Sequence, residues 1–261
     1  MLVAYGDESG THDRMGKECK VAVAGGYVAS VETWDSFNDQ WGKVLDKYDA
    51  KSFHFSEWAF ASAVARGKKR PSSSFDKNPY CGWSLDKKLD PFALELAQIA
   101  RTVRQGIFAG YVNTAAFQAA KSDATSGILI GHDPFEWCLI HCFESFWTAV
   151  RSCWPGHSDS ISLKWDTSPT EWRKSVQDIY EQFRKKDTRL CQMKFVDKDA
   201  RPHFPLQAAD MFVGRIRQLS ERAIAREYPA MSMIDTALFG ISGRELLQLQ
   251  KGNMNPMQFF R

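Results

Sequence analysis

The sequence is short of ready-made catalytic signatures. It holds no GxSxG, no Walker A loop and no HExxH, so the motif-bearing serine hydrolases, P-loop NTPases and zinc metalloproteases find no footing in it. Its six cysteines (Cys19, Cys81, Cys138, Cys142, Cys153 and Cys191) are scattered and include no CxxC pair. Met1-Leu2 runs directly into strand-type sequence with Asp7 close behind, so no signal peptide is expected. Reduced thiols in a cytoplasmic protein are the expectation. Long apolar runs are also missing. The most apolar stretch, Phe135 to Val150, contains Glu136, His141 and Glu144. It is too short and too charged to span a bilayer and reads as a buried core helix, so no membrane partner is expected. Charge imbalance is small: a formal +3 permits a nucleic-acid partner without arguing for one. No internal repeat and no low-complexity linker divides the chain.

What is present is ordinary globular material. The chain has 261 residues, 44% hydrophobic and 25% charged, with nine Trp and eighteen Phe to fill a core. Leu2 to Tyr5 reads as a first strand that runs into Gly6-Asp7-Glu8-Ser9-Gly10. Successive strand side chains point to opposite faces, so at most one of Asp7 and Glu8 enters a site, and Asp7 is the choice. Lys20 to Ala29 reads as a second strand, antiparallel to the first. Ser30 then caps an amphipathic helix with Val31, Trp34, Phe37, Trp41, Val44, Leu45 and Tyr48 inward. His54 and Glu57 follow in a short extended or turning segment. Residues 61–90 change character: Arg66, Lys68, Lys69 and Arg70 precede Pro71 and a serine run, giving a basic, turn-rich insertion expected to be a mobile loop. Next to an acidic site such a loop would clamp a phosphate backbone.

Asp90-Pro91 starts a helix that stops at Gly106. Ile107 to Val112 is a third strand, and Ala115 to Lys121 a short helix. A fourth strand, Ile161 to Asp166, ends in an acid as the first does. Thr170 to Lys186 is an amphipathic helix with Trp172, Val176, Ile179, Tyr180 and Phe183 inward, and Leu190 to Val196 is a fifth strand. Pro205 opens a helix in which Gln207, Asp210 and Gly214 share a face. Ala208, Ala209 and Gly214 let it approach a sheet closely, and Arg215 and Arg217 make its later turns basic. A last helix is expected from the capping box Ser242-Gly243-Arg244-Glu245 to Gly252. The expectation is a single α/β domain over 1–261, with a mixed sheet of about five strands flanked by helices, an insertion at about 61–90 and a C-terminal helical extension at about 228–261.

Asp7 and Asp166 end strands, and Asp210 sits early in a helix that follows a strand. In open α/β sheets such positions converge on one edge, where ligands bind. Carboxylates gathered there repel one another unless a cation holds them. Mg²⁺ or Mn²⁺ is the natural choice, since hard ions prefer oxygen ligands. Such ions activate water and stabilise a leaving oxygen in phosphodiester hydrolysis.

These residues carry a resemblance. Asp7-Glu8-Ser9-Gly10, Phe53-His54-Phe55, Asp166 and Pro205-Leu206-Gln207-Ala208-Ala209-Asp210 together resemble the DUF3800 family of bacteria, archaea and phages, over roughly the whole chain and in the same order. The resemblance implies a ribonuclease H-like fold and places Asp7, Asp166 and Asp210 at the acidic positions of its metal site. It also implies a helix motif at Gln207 and a recurrent histidine at His54. The usual second acid of such nucleases, on an early helix, has no clear counterpart; Glu57 and Glu8 are candidates.

The expected function is a Mg²⁺- or Mn²⁺-dependent nuclease or phosphoester hydrolase acting on nucleic acid. Asp7, Asp166 and Asp210 hold metal; Glu57 and His54 complete the catalytic set. Gln207, Ser9 and Arg215 bind substrate, and the Arg66–Arg70 loop contacts phosphate. The alternative is a non-catalytic nucleic-acid- or partner-binding protein of the same fold, serving phage defence or mobile elements. A small phosphorylated metabolite as substrate is a third reading. Zinc at Cys138, His141 and Cys142 lacks a fourth ligand, and a core helix with small thiols accounts for them better.

Overall fold

The structure, a computed structural model, describes residues 1–10, 20–122, 133–156, 158–167 and 170–225. The expected helix from Ser242 and most of the expected extension lie outside the described residues.

Five strands form one mixed sheet in the order β3-β2-β1-β4-β5. They are β1 (Leu2–Ser9), β2 (Val21–Ser30), β3 (Ile107–Asn113), β4 (Ile161–Asp166) and β5 (Lys194–Val196). β2 runs antiparallel to both β1 and β3, whereas β4 runs parallel to β1 and β5 parallel to β4. The C-terminal ends of β1, β4 and β5 therefore share one edge. The fifth strand is shorter than its apolar run suggests, because Leu190 contributes only an isolated bridge to Ile161.

The described residues hold seven α-helices: α1 (Val31–Tyr48), α2 (Phe55–Ala65), α3 (Asp90–Ala100), α4 (Thr114–Ser122), α5 (Pro134–Cys153), α6 (Thr170–Arg184) and α7 (Phe204–Ile224). Ser30 caps α1, its hydroxyl accepting from the Thr33 amide at 3.3 Å. Asp133 and Glu136 form a capping box at the start of α5. No described helix is long and apolar enough to cross a membrane.

Strand alternation sorts the core into two layers. Val3 and Tyr5 of β1 face α1, α3 and α7, packing with Trp34, Phe37, Trp41 and Phe212. Leu2 and Ala4 face α5 and α6, packing with Phe143, Phe146, Leu163, Trp165, Val176 and Tyr180. The interface between β3 and α5 is close: a Cβ on Gly110 would lie 2.1 Å from the carbonyl oxygen of Cys138. Cys138 and Cys142 are buried in that contact, while His141 turns outward and pairs with Glu144 at 3.3 Å. The three do not converge on one point.

The insertion, expected as a loop, is helical in part. α2 continues to Ala65, and the chain returns through helical turns at Phe75–Lys77 and Leu85–Leu89. Tyr80 and Leu89 are buried against the core. Tyr80 packs edge-on to Trp83 with centroids 5.1 Å apart, and Trp83 packs edge-on to Phe92 at 5.4 Å. Aromatic burial anchors a segment whose local sequence reads as punctuation.

Candidate functional site

Asp7 and Glu8 leave β1 on opposite faces, as alternation requires. Asp7 enters the α7 side and is 4% exposed. Glu8 turns to the other face, where its carboxylate accepts a hydrogen bond from Trp165 Nε1. Gly6 makes that possible, since a Cβ there would lie 2.4 Å from the Trp165 ring. The indole thus crosses β1 and holds Glu8 away from Asp7. One of the two candidates for a fourth acid is thereby committed to the opposite face.

The carboxylates of Asp7, Asp166 and Asp210 meet at the shared C-terminal edge. Each places an oxygen near the ammonium of Lys198, at 3.5 Å for Asp7, 3.0 Å for Asp166 and 3.7 Å for Asp210. Three elements far apart in the chain, β1, β4 and α7, thus surround one cation delivered by the segment after β5. Asp7 Oδ1 also accepts from the Glu8 amide at 2.7 Å. Lys198 was not read from the sequence as a site residue.

Three carboxylates against one ammonium leave an excess of negative charge in a largely enclosed place. Asp7 is the deepest, and burial pushes its carboxyl well above the usual carboxylate range. Lys198 opposes that rise, while Asp210, Glu8 and Asp166 add to it. Burial alone would favour neutral Lys198. The fields of Asp7, Asp210 and Asp166 outweigh it and hold the ammonium above its ordinary value. The cluster is an electron-rich cup that keeps its lysine charged.

One line of α7 organises the near wall. Gln207 Oε1 accepts from the Phe53 amide at 3.0 Å and from Trp41 Nε1 at 2.9 Å. Gln207 Nε2 donates to the Lys198 carbonyl at 2.9 Å. Asp210 Oδ2 accepts from the Phe55 amide at 2.9 Å, and Gly214 lies against the Phe55 ring. The shared face of Gln207, Asp210 and Gly214 docks on the Phe53–Phe55 segment. Gln207 is fully buried. Expected to bind substrate, it spends its side chain on ties from α7 to α1, to the Phe53 segment and to the Lys198 segment.

His54 precedes α2, which begins at Phe55 and puts Glu57 in a helical first turn rather than an extended segment. His54 Nε2 lies 3.0 Å from Asp199 Oδ1. Its amide donates to the Tyr80 hydroxyl at 3.2 Å. Burial raises the Tyr80 phenol; the His54 hydrogen bond works the other way, and the fields of Glu57, Asp210 and Asp199 add to the rise. His54, Glu57 and Tyr80 thus border the acids.

Ser9 ends β1, two residues beyond Asp7 on the same strand face. Arg215 Nη1 donates to Gln218 Oε1 at 2.9 Å. Arg217 lies closer to the strand end, its Cδ 3.2 Å from where a Cβ on Gly10 would stand. In the expected phosphate-contacting loop, Arg66 Nη2 donates to both oxygens of Asp90, at 2.9 and 2.6 Å. That guanidinium ties α2 to α3, while Lys68, Lys69 and Arg70 remain exposed.

Two lysines missed by the sequence reading flank the cup. Lys164 and Lys194 are register partners on β4 and β5. Lys164 lies two residues before Asp166 on the same face, and its ammonium donates to the Tyr5 hydroxyl at 3.1 Å. Burial, then the field of Lys194, lowers its pKa from the ordinary lysine value.

The chain matches no protein-family model, and it matches no curated protein either. Among the described residues, no group of three or more His, Cys, Asp or Glu is placed to hold a metal ion. The three acids offer hard carboxylate oxygens, the donor type that Mg²⁺ and Mn²⁺ prefer, and they gather on one positive charge.

Proposed function

We propose that this protein is a divalent-metal-dependent phosphoester hydrolase acting on nucleic acid, built on a ribonuclease H-like scaffold. The observation that carries the reading is the meeting of Asp7, Asp166 and Asp210 around a single cation. Acids that repel one another are gathered by three separate elements at the edge where α/β sheets bind ligands. The mixed five-stranded sheet, with α7 laid across its acidic edge, is in keeping with the scaffold that the DUF3800 resemblance implies.

Asp7, Asp166 and Asp210 would hold Mg²⁺ or Mn²⁺, which supplies an activated water and stabilises the leaving oxygen when bound. The protein's own groups do the rest. His54 donates from Nε2 to Asp199, which leaves Nδ1 as the acceptor that takes and returns a proton. Glu57, in the first turn of α2, is the candidate for a fourth carboxylate. Lys164 and Lys194 offer positive charge beside Asp166 for the phosphates that flank the reacting one. Arg217 does the same at the end of β1.

The test is cleavage of DNA and RNA with Mn²⁺ by the wild type, Asp7→Asn and Asp210→Asn. Activity in the wild type alone is expected, and equal activity in all three retires the reading.

Lys198 favours a second reading, in which the acids are structural partners of a buried lysine in a non-catalytic nucleic-acid- or partner-binding protein. Calorimetry separates the two. A hydrolase binds Mn²⁺ and loses that binding in Asp7→Asn, whereas a structural cluster binds none.

A further inference from the structure

Lys198 stands on the segment between β5 and α7, and its position there is fixed from behind. The fully buried Gln207 donates to its carbonyl at 2.9 Å. The backbone is held, so only the four-carbon side chain is free to carry the ammonium elsewhere. That side chain retains 18% exposure, which leaves it a way out to solvent. At its tip the ammonium takes one oxygen from each acid, at 3.0 to 3.7 Å.

Those are the oxygens a divalent ion would need. An ammonium and a divalent cation compete for them, because two like charges a few ångströms apart in an enclosed site repel. A tethered group competes at a high effective concentration, since its arrival is intramolecular. We infer that Lys198 is a built-in competitor for the divalent ion: it caps the three carboxylates while metal is scarce and swings out when metal enters. The inference rests on the metal-binding reading above and adds a control on it. The cap lets the acids fold together without metal, and it weakens the site's hold on the ion.

Two measurements test it. In calorimetry with Mn²⁺ alone, Lys198→Met is expected to bind about tenfold tighter than the wild type, while Lys198→Arg, which keeps the charge, stays close to the wild type. In the unaltered protein, a water-soluble amine acylating reagent followed by peptide mass spectrometry reads Lys198 directly. Labelling is expected to rise several-fold on adding Mn²⁺, and Asp7→Asn is expected to abolish that rise. This arm does not depend on Lys198→Met folding. Equal Mn²⁺ affinity in wild type and Lys198→Met, or Mn²⁺ binding with unchanged Lys198 labelling, overturns the competitor while leaving metal binding intact. No Mn²⁺ binding in any of these proteins overturns both.

Discussion

The amide of Gln207 donates to the carbonyl of Lys198 at 2.9 Å. The helix that supplies one acid thus also holds the residue whose ammonium contacts all three. The same side chain accepts from Trp41 Nε1 and the Phe53 amide. Gln207→Leu would leave two donors and one acceptor buried without partners, each costing about 1–3 kcal/mol. A loss of several kcal/mol in urea unfolding is expected, together with loss of Mn²⁺ binding. A variant as stable as the wild type would show that Gln207 is not a brace.

Asp7→Asn should raise stability at neutral pH. The folded Asp7 carboxyl titrates above its unfolded value, so it keeps its proton to higher pH in the folded state. Its contribution to stability is greatest below the ordinary carboxylate pKa and is lost as pH rises through the raised one. Above both values the buried charge is a standing penalty, which the near-isosteric amide removes. Thermal unfolding across pH should show Asp7→Asn gaining on the wild type as pH rises. A variant that is less stable at pH 7 would mark Asp7 as a structural counter-ion.

His54→Ala is expected to slow Mn²⁺-dependent cleavage about 10²- to 10⁴-fold. Asp199→Asn, which disturbs only the orientation of the imidazole, should cost less. Both should leave the Mn²⁺ affinity close to wild type, because neither carboxylate contact to Lys198 nor the acids themselves are altered. Weakened metal binding in His54→Ala would move His54 from proton transfer to the metal shell.

Gly214→Val should damage the site from a distance. The added side chain would enter the Phe55 ring, which lies 2.2 Å from the nearest Cβ position. Phe55 must then shift, and its amide is the donor to Asp210. Overpacking of this kind typically costs about 1–3 kcal/mol. The expected result is a folded protein with a lower melting temperature and a Mn²⁺ affinity well below wild type. An unchanged affinity would separate the Phe55 contact from the acid cluster.

The strand-ending acids were legible because a carboxylate at the close of an apolar run needs an explanation, and the opposite faces of Asp7 and Glu8 follow from a period of two. Lys198 was not. It lies in Asp197-Lys198-Asp199, an alternating charged turn that reads as solvated. Only tertiary packing buries it, through Gln207 and the acids of other elements. Gln207 was visible by its spacing from Asp210, but its partners Trp41 and Phe53 lie in remote segments, so its bracing contacts could not be read locally. The anchoring of the insertion was hidden for a related reason: Tyr80 and Trp83 hold it through aromatic neighbours that turn-type sequence does not reveal. Lys164 and Lys194 needed the parallel register of β4 and β5, which no local pattern states.

The acids are separated by most of the described chain, with Asp7 in the opening strand and Asp210 in the last described helix. During synthesis the ribosome must release nearly all of that length before the three can assemble. A polypeptide that stops short of α7 therefore lacks the third carboxylate, and the cup can form only once β1, β4 and α7 have all emerged.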